Sequence, residues 1–177
     1  MVLRKMLKTR KKHKKVFNLK TARSIGILFD ATNINHFEAV YELYKDLLRE
    51  HEEIFVLGFV NANDIPDQYL FKKNFSFFTK KEVNWYFKPK NQDALRFTDK
   101  KFDILINLNL THNLLFDFII ALSLARFKVG RYCREENYYD FMISIEKEPT
   151  FEYFIQQVKH YLEMINRPEL STNFINV

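Results

Sequence analysis

The stretch Ser24-Ile25-Gly26-Ile27-Leu28-Phe29-Asp30-Ala31-Thr32-Asn33 decides the fold of this chain. Its first six residues form a near-continuous apolar run, which is typical of a strand buried on both faces of a sheet. A short polar turn follows, where Thr32, Asn33 or Asn35 can cap a helix. Apolar residues then recur at helical spacing up to about residue 50. The stretch therefore predicts the strand-then-helix unit of an α/β fold.

The same unit repeats along the chain. Further strands are predicted at 54–60, 102–108 and 128–132, and further helices at 91–97, 111–124 and 151–165. Thr111 or Asn113 can cap the second of these helices, and Thr150 the third. Residues 74–78 and 83–87 look extended, and 139–145 resemble an edge strand. Strands alternating with helices predict a single Rossmann-like three-layer α/β domain, with a mostly parallel sheet of five or six strands.

The charge of the chain is divided unevenly. The chain has 28 Lys and Arg against 22 Asp and Glu, and residues 1–23 hold ten of the bases and none of the acids. Residues 24–177 therefore carry a net charge of −4. Because ten like charges repel one another, we predict a basic N-terminal arm over 1–23, a domain over 24–166 and a polar C-terminal tail over 167–177. Deletion of residues 1–20 is then expected to leave thermal stability nearly unchanged.

Composition excludes several classes of protein. The single cysteine, Cys133, excludes an internal disulfide and a cysteine-based zinc cage. Gly26, Gly58 and Gly130 stand alone, so no phosphate-cradling loop is present. No apolar run has the length of a signal peptide core or of a membrane span. We predict a cytoplasmic protein with no transmembrane segment, no cofactor and no metal; the sequence does not define the oligomeric state.

Five motifs resemble an uncharacterised family of small Bacteroidota proteins, a domain of unknown function. They lie at 24–33, 77–85, 102–108, 123–130 and 160–166, so the resemblance covers nearly the whole chain. The resemblance implies a bacterial protein with one domain and a basic leader. It implies no activity.

In parallel sheets, ligands bind at the carboxyl ends of the strands. Two residues there are candidates for catalysis, Asp30 and His112. The candidates for ligand binding are Asn33, Asn61, Asn63, Asn107, Asn109 and Thr111.

Asp30 with Asn33 resembles the opening of the PIN and NYN nucleases, in which carboxylates hold Mg²⁺ or Mn²⁺. Asn107 and Asn109 stand where further carboxylates are needed, and amides are weak ligands for a hard cation. The simpler interpretation is that Asp30 and Asn33 satisfy turn amides and cap the first helix.

The arm favours a non-enzymatic binding protein. We expect the arm to contact RNA or a ribonucleoprotein, such as the ribosome, while the acidic body binds another partner. The predicted nucleic-acid contacts are Arg4, Lys5, Lys8, Arg10, Lys11, Lys12, Lys14 and Lys15.

Two alternatives remain open. One is an enzyme, such as a degenerate PIN/NYN-like nuclease or a small-molecule enzyme, acting at the strand ends. The other is peripheral association of the arm with an anionic membrane. Trp85, Tyr86 and Phe87 lie beside Lys88 and Lys90, a pattern that can stack bases. Because 16% of the chain is aromatic, core packing is the expected role of these rings.

Overall fold

The structure, a computed structural model, describes residues 14–134 and 138–165. Its strands are β1 (Ser24–Asp30), β2 (Glu53–Val60), β3 (Phe75–Thr79), β4 (Ile104–Asn107), β5 (Phe127–Arg131) and β6 (Phe141–Ile143). Its helices are α1 (Ile34–Leu47), α2 (Gln92–Asp99), α3 (Leu114–Leu122) and α4 (Phe151–Met164). Short 3₁₀ turns lie at Asp67–Tyr69 and Lys80–Glu82.

The strands form one six-stranded sheet in the order β3-β2-β1-β4-β5-β6. Every strand pair in it is parallel. The sheet grows in one direction from β1 to β3 and in the other from β4 to β6, which is the doubly wound order. The predicted fold class is therefore confirmed, and the change of direction places the carboxyl ends of β1 and β4 side by side.

Helices cover both faces of the sheet. Val40 of α1 and Phe154 of α4 pack in the same core cluster as Ile27 and Phe29 of β1. Leu28 points to the opposite face, in a second cluster that includes residues of α2 and α3. All three of these β1 side chains are fully buried. The continuous apolar run of β1 is explained by this burial on both faces.

Side-chain caps begin the helices at the predicted positions. Asn33 Oδ1 accepts a hydrogen bond from Asn35 N at 2.9 Å, and Asn113 Oδ1 accepts one from Leu115 N at 2.9 Å. Thr150 caps α4 in the same way. These caps satisfy amides that the first turn of each helix leaves without an intrahelical acceptor.

Two regions differ from the sequence-based expectation. Residues 83–87 form no strand, because Val83 makes only an isolated antiparallel bridge with Pro89, which closes a small hairpin. The edge strand predicted at 139–145 shortens to β6. Just before β6, Asp140 N donates to Lys128 O at 2.8 Å, while Lys128 N donates to the Asp140 carboxylate at 3.0 Å, so one of the two bonds of this pair comes from a side chain.

The second half of the predicted arm packs against the domain. Phe17, Asn18 and Leu19 are at most 5% exposed, and Leu19 N donates to Leu162 O at 2.9 Å. The compact part of the chain therefore includes residues before Ser24, because the apolar side chains between Lys15 and Lys20 pack against the domain. Residues 1–13, with most of the predicted nucleic-acid contacts, and the tail at 167–177 lie outside the described residues. Within the described residues, no helix has the length and apolar character needed to cross a membrane.

Candidate functional site

The predicted residues at the end of β1 hold a turn together. The Asp30 carboxylate accepts a hydrogen bond from Thr32 N at 2.9 Å, and the Thr32 hydroxyl accepts one from Asn61 N at 2.9 Å. Together with the cap from Asn33, these bonds confirm the turn and cap roles expected of Asp30 and Asn33. Asn63 is exposed in the loop after β2.

A buried polar cluster lies at the end of β4. Asn107 and Asn109 are 3% and 8% exposed. Asn107 Nδ2 donates to the Tyr139 hydroxyl at 2.6 Å, and Asn107 Oδ1 accepts from both the backbone N and the Nδ2 of Asn109. Asn109 Oδ1 is buried with no hydrogen-bond partner among the described residues. The structure thus brings the two predicted asparagines together with a tyrosine that the strand-end rule did not indicate.

Gly130 makes room for the ring of Tyr139. A Cβ atom at position 130 would lie 2.4 Å from Cε1 of that ring, closer than any side chain tolerates. Burial raises the pKa of Tyr139 to about 12, against the lowering effect of the hydrogen bond from Asn107. The nearby Asp117 and Cys133 raise this pKa further. The phenol is therefore neutral at physiological pH and acts as a hydrogen-bonding group rather than as a base.

His112 lies at the start of α3, where it meets a carboxylate. Its Nε2 is 2.6 Å from Asp117 Oδ2, and the imidazole is partly exposed. Thr111 beside it is exposed. A histidine paired with a carboxylate can move a proton. Asp117, which occupies the first turn of α3, was not indicated by the sequence pattern.

The cavity enclosed by these groups is small. Its volume is about 20 Å³, and its lining includes Asn107, Asn109, His112, Arg131 and Tyr139. A space of this size holds about one water molecule. Asp30 is not part of the lining. In the described parts of the chain, no three His, Cys, Asp or Glu side chains are grouped to hold a metal ion. The predicted strand-end residues are thus divided: Asn107, Asn109 and His112 line this small space, while Asn61 lines a separate and larger groove.

The start of the described chain lies at the amino ends of the strands, away from the polar cluster at their carboxyl ends. Lys14 Nζ pairs with the Asp140 carboxylate at 2.7 Å, next to β6, and Lys15 N donates to Arg126 O at 3.3 Å, next to β5. The Arg126 guanidinium lies 4.8 Å from the centre of the Phe17 ring. We call residues 14–19 the arm root. The arm root attaches the basic segment to the domain beside the amino ends of β5 and β6.

Fold and site together define a doubly wound α/β domain with a buried polar cluster at the carboxyl end of β4 and a basic segment attached beside the amino ends of β5 and β6. The chain matches the model of a family of unknown function, DUF6913, over residues 1–165, and it belongs to that family. The match covers the basic segment as well as the domain. No curated protein and no solved structure shows a significant match to the chain.

Proposed function

We propose that this protein is a non-enzymatic binding protein that contacts RNA, or the RNA of a ribonucleoprotein such as the ribosome, through its basic N-terminal segment. The observation that carries the proposal is the separation of charge: ten bases and no acid in residues 1–23, against −4 in the rest of the chain. A dense run of bases attracts the phosphate backbone regardless of sequence. The family model spans this segment together with the domain.

The arm root divides the basic residues into two groups. Lys14 pairs with Asp140, and the Lys15 ammonium lies 5.2 Å from the centre of the Phe17 ring. Lys14 thus has its partner in the domain, and Lys15 has its partner in the arm root. The bases proposed to contact phosphate are Arg4, Lys5, Lys8, Arg10, Lys11 and Lys12.

The alternatives receive less support. The two predicted catalytic residues do not meet in one site, because Asp30 does not line the space of about 20 Å³ beside His112 and Tyr139. For membrane association, the basic segment offers five apolar residues in its first seven positions, interrupted by two bases: Met1, Val2, Leu3, Met6 and Leu7. Interfacial anchoring depends on a larger apolar face.

Replacement of the six bases by glutamine tests the proposal. The parent protein should bind single-stranded RNA with a log–log salt slope of about −4, which corresponds to about six phosphate contacts. The six-glutamine variant should lose this binding and its salt dependence. The measurement is fluorescence anisotropy of labelled RNA at several salt concentrations.

The matched control changes two arginines and four lysines on the domain surface to glutamine. All six are exposed: Lys45, Arg49, Lys73, Arg96, Lys101 and Lys147. This control has the same net charge as the six-glutamine variant, so it should bind RNA nearly as well as the parent if position rather than total charge matters. Equal loss in both variants would contradict the proposal, as would binding to anionic vesicles in the absence of RNA binding.

A further inference from the structure

A small ordered hairpin follows β3. Val83 and Pro89 form its antiparallel bridge, and Asn84 N donates to Lys88 O at 3.0 Å. Asn84 Oδ1 accepts hydrogen bonds from Tyr86 N at 3.2 Å and from Lys88 N at 2.8 Å. We call residues 83–89 the Trp85 hairpin. Its backbone is held by the side chain of Asn84, so the tip has a defined shape.

The tip of the Trp85 hairpin presents aromatic rings to solvent. Trp85 is 90% exposed and Phe87 is 44% exposed, so the prediction that these residues pack in the core is wrong. Phe87 has a φ of 64°, in the left-handed region that bulky residues rarely adopt. Exposure of a tryptophan on a strained turn gives the fold no hydrophobic stabilisation. This combination indicates a contact surface.

The surroundings of the hairpin are basic. Four lysines lie within residues 80–90, and the one acid there, Glu82, accepts hydrogen bonds from Thr79 N and Asn91 Nδ2. Lys81 is 3.5 Å from Asp64. Lys80 and Lys90 are exposed, and neither forms an ion pair within the described residues. The charge around Trp85 therefore favours an anionic partner.

A groove of about 380 Å³ lies beside Trp85. Its apolar lining comes from Phe59, Val83, Phe87 and Leu115, and its polar lining from Asn61, Lys80, Asn84 and Asn113. Asn84 and Asn113 use their Oδ1 atoms to cap backbone amides. Their Nδ2 groups have no partner in the described parts of the chain, so they remain available as donors. Carboxamides beside an aromatic ring are the groups that recognise the edges of unstacked bases.

We infer that the Trp85 hairpin and this groove form a binding site for an unpaired base of single-stranded RNA. The base stacks on Trp85, the carboxamides of Asn84 and Asn113 donate to its edge, and Lys80 and Lys90 neutralise the adjoining phosphates. The inference takes its class of partner from the proposed function, but the site is separate from the basic segment. The amides in the groove favour a base over hydrocarbon chains, which offer nothing to accept their hydrogen bonds.

Trp85 itself reports on this site, because it is the single tryptophan of the chain. Addition of oligouridylate or oligoadenylate to the full-length protein should quench its fluorescence. Trp85→Ala should weaken RNA binding at least about tenfold, while Trp85→Phe should keep most of the affinity. Phe71→Ala is the matched control, since the Phe71 ring is also exposed and its φ of 62° resembles that of Phe87, but Phe71 does not line the groove. That variant should bind like the parent.

The outcomes separate this inference from the proposed function. Quenching that persists in the six-glutamine variant at low salt supports the hairpin site even if the arm proposal fails. RNA binding without quenching, with equal affinity in Trp85→Ala, overturns the inference and leaves the arm proposal intact. A blue shift of the tryptophan emission with phosphatidylserine vesicles, without a response to RNA, also overturns it. Thermal melts of each variant verify that the fold is intact.

Discussion

The side chains of Asn107, Asn109 and Tyr139 form a hydrogen-bonded chain that ends in a buried acceptor, Asn109 Oδ1. A buried acceptor without a donor costs about 1–3 kcal/mol. The cavity beside it, of about 20 Å³, has room for one water molecule that can donate to it. The polar strand end is therefore explained as a structural cluster that joins β4 to the segment before β6.

We predict that Tyr139→Phe lowers the free energy of unfolding by about 1–3 kcal/mol at pH 8, because Asn107 Nδ2 loses its acceptor. The pKa of Tyr139 rises from 10.0 to about 12 in the folded protein. Above pH 10 the unfolded tyrosine ionises while the folded one stays neutral, so the parent loses stability between pH 10 and 12.

The difference in the free energy of unfolding between the parent and Tyr139→Phe should therefore become smaller as the pH rises above 10. Urea unfolding at pH 8, 10 and 11 measures it. Tyr44 and Tyr69, whose pKa values burial also raises, are present in both proteins and cancel in the difference. A difference in the free energy of unfolding that stays constant across this pH range would show that burial does not raise the pKa of Tyr139.

At the scale of elements, the sequence predicts those strands best whose two faces are both buried. β1, β2 and β4 lie inside the sheet, so their apolar runs are continuous and easily recognised. The helix caps were equally clear, since each precedes an amphipathic segment. The Trp85 hairpin was missed because its shape depends on the Asn84 side chain and on a positive φ at Phe87, neither of which changes hydrophobic periodicity.

The candidate site was predictable only in part. Asn107, Asn109 and His112 follow β4, so the strand-end rule finds them. Tyr139 joins them from 32 residues beyond Asn107, and no local pattern encodes that pairing. The burial of Phe17 and Leu19 has a related cause: they stand in a four-residue stretch flanked by Lys15 and Lys20, and only contacts with the domain bury them.

Two truncations test the arm root. Deletion of residues 1–13 should leave the melting temperature nearly unchanged, because every described contact remains. Deletion of residues 1–20 should lower it by at least about 10 °C, since removing buried side chains such as Phe17 and Leu19 costs several kcal/mol. Differential scanning calorimetry measures both, with Phe17→Ala as an intermediate case. Equal melting temperatures for the two truncations would show that the arm root contributes nothing to stability.

At the scale of the whole molecule, the arm root and the Trp85 hairpin lie at opposite corners. The hairpin follows β3 at one edge of the sheet, and the arm root lies beside β6 at the other. Five strand spacings separate those edges, about 24 Å. The arm root also lies at the amino ends of the strands and the hairpin at the carboxyl ends. An RNA strand that binds both the basic segment, which extends from the arm root, and Trp85 therefore contacts two separate parts of the molecule.

We therefore predict a threshold in RNA length. Short oligonucleotides should quench Trp85 weakly, and affinity should rise steeply once the strand is long enough to contact both Trp85 and the bases of the basic segment, because the second contact becomes intramolecular. The threshold should disappear in Trp85→Ala and in the six-glutamine variant. Anisotropy titrations with a ladder of RNA lengths measure this. A smooth rise of affinity with RNA length that is the same in the parent and in both variants would contradict contact at two separate places.

The central position of β1 also affects how the chain folds while it is being synthesised. β1 pairs with β2 on one side and with β4 on the other, so its second neighbour arrives only when Ile104–Asn107 has been made. Parallel pairings of this kind close long loops and form slowly. Until then, the apolar stretch from Ile25 to Phe29 has an open edge. Chains that stop before Ile104 should therefore aggregate rather than persist as partly folded fragments.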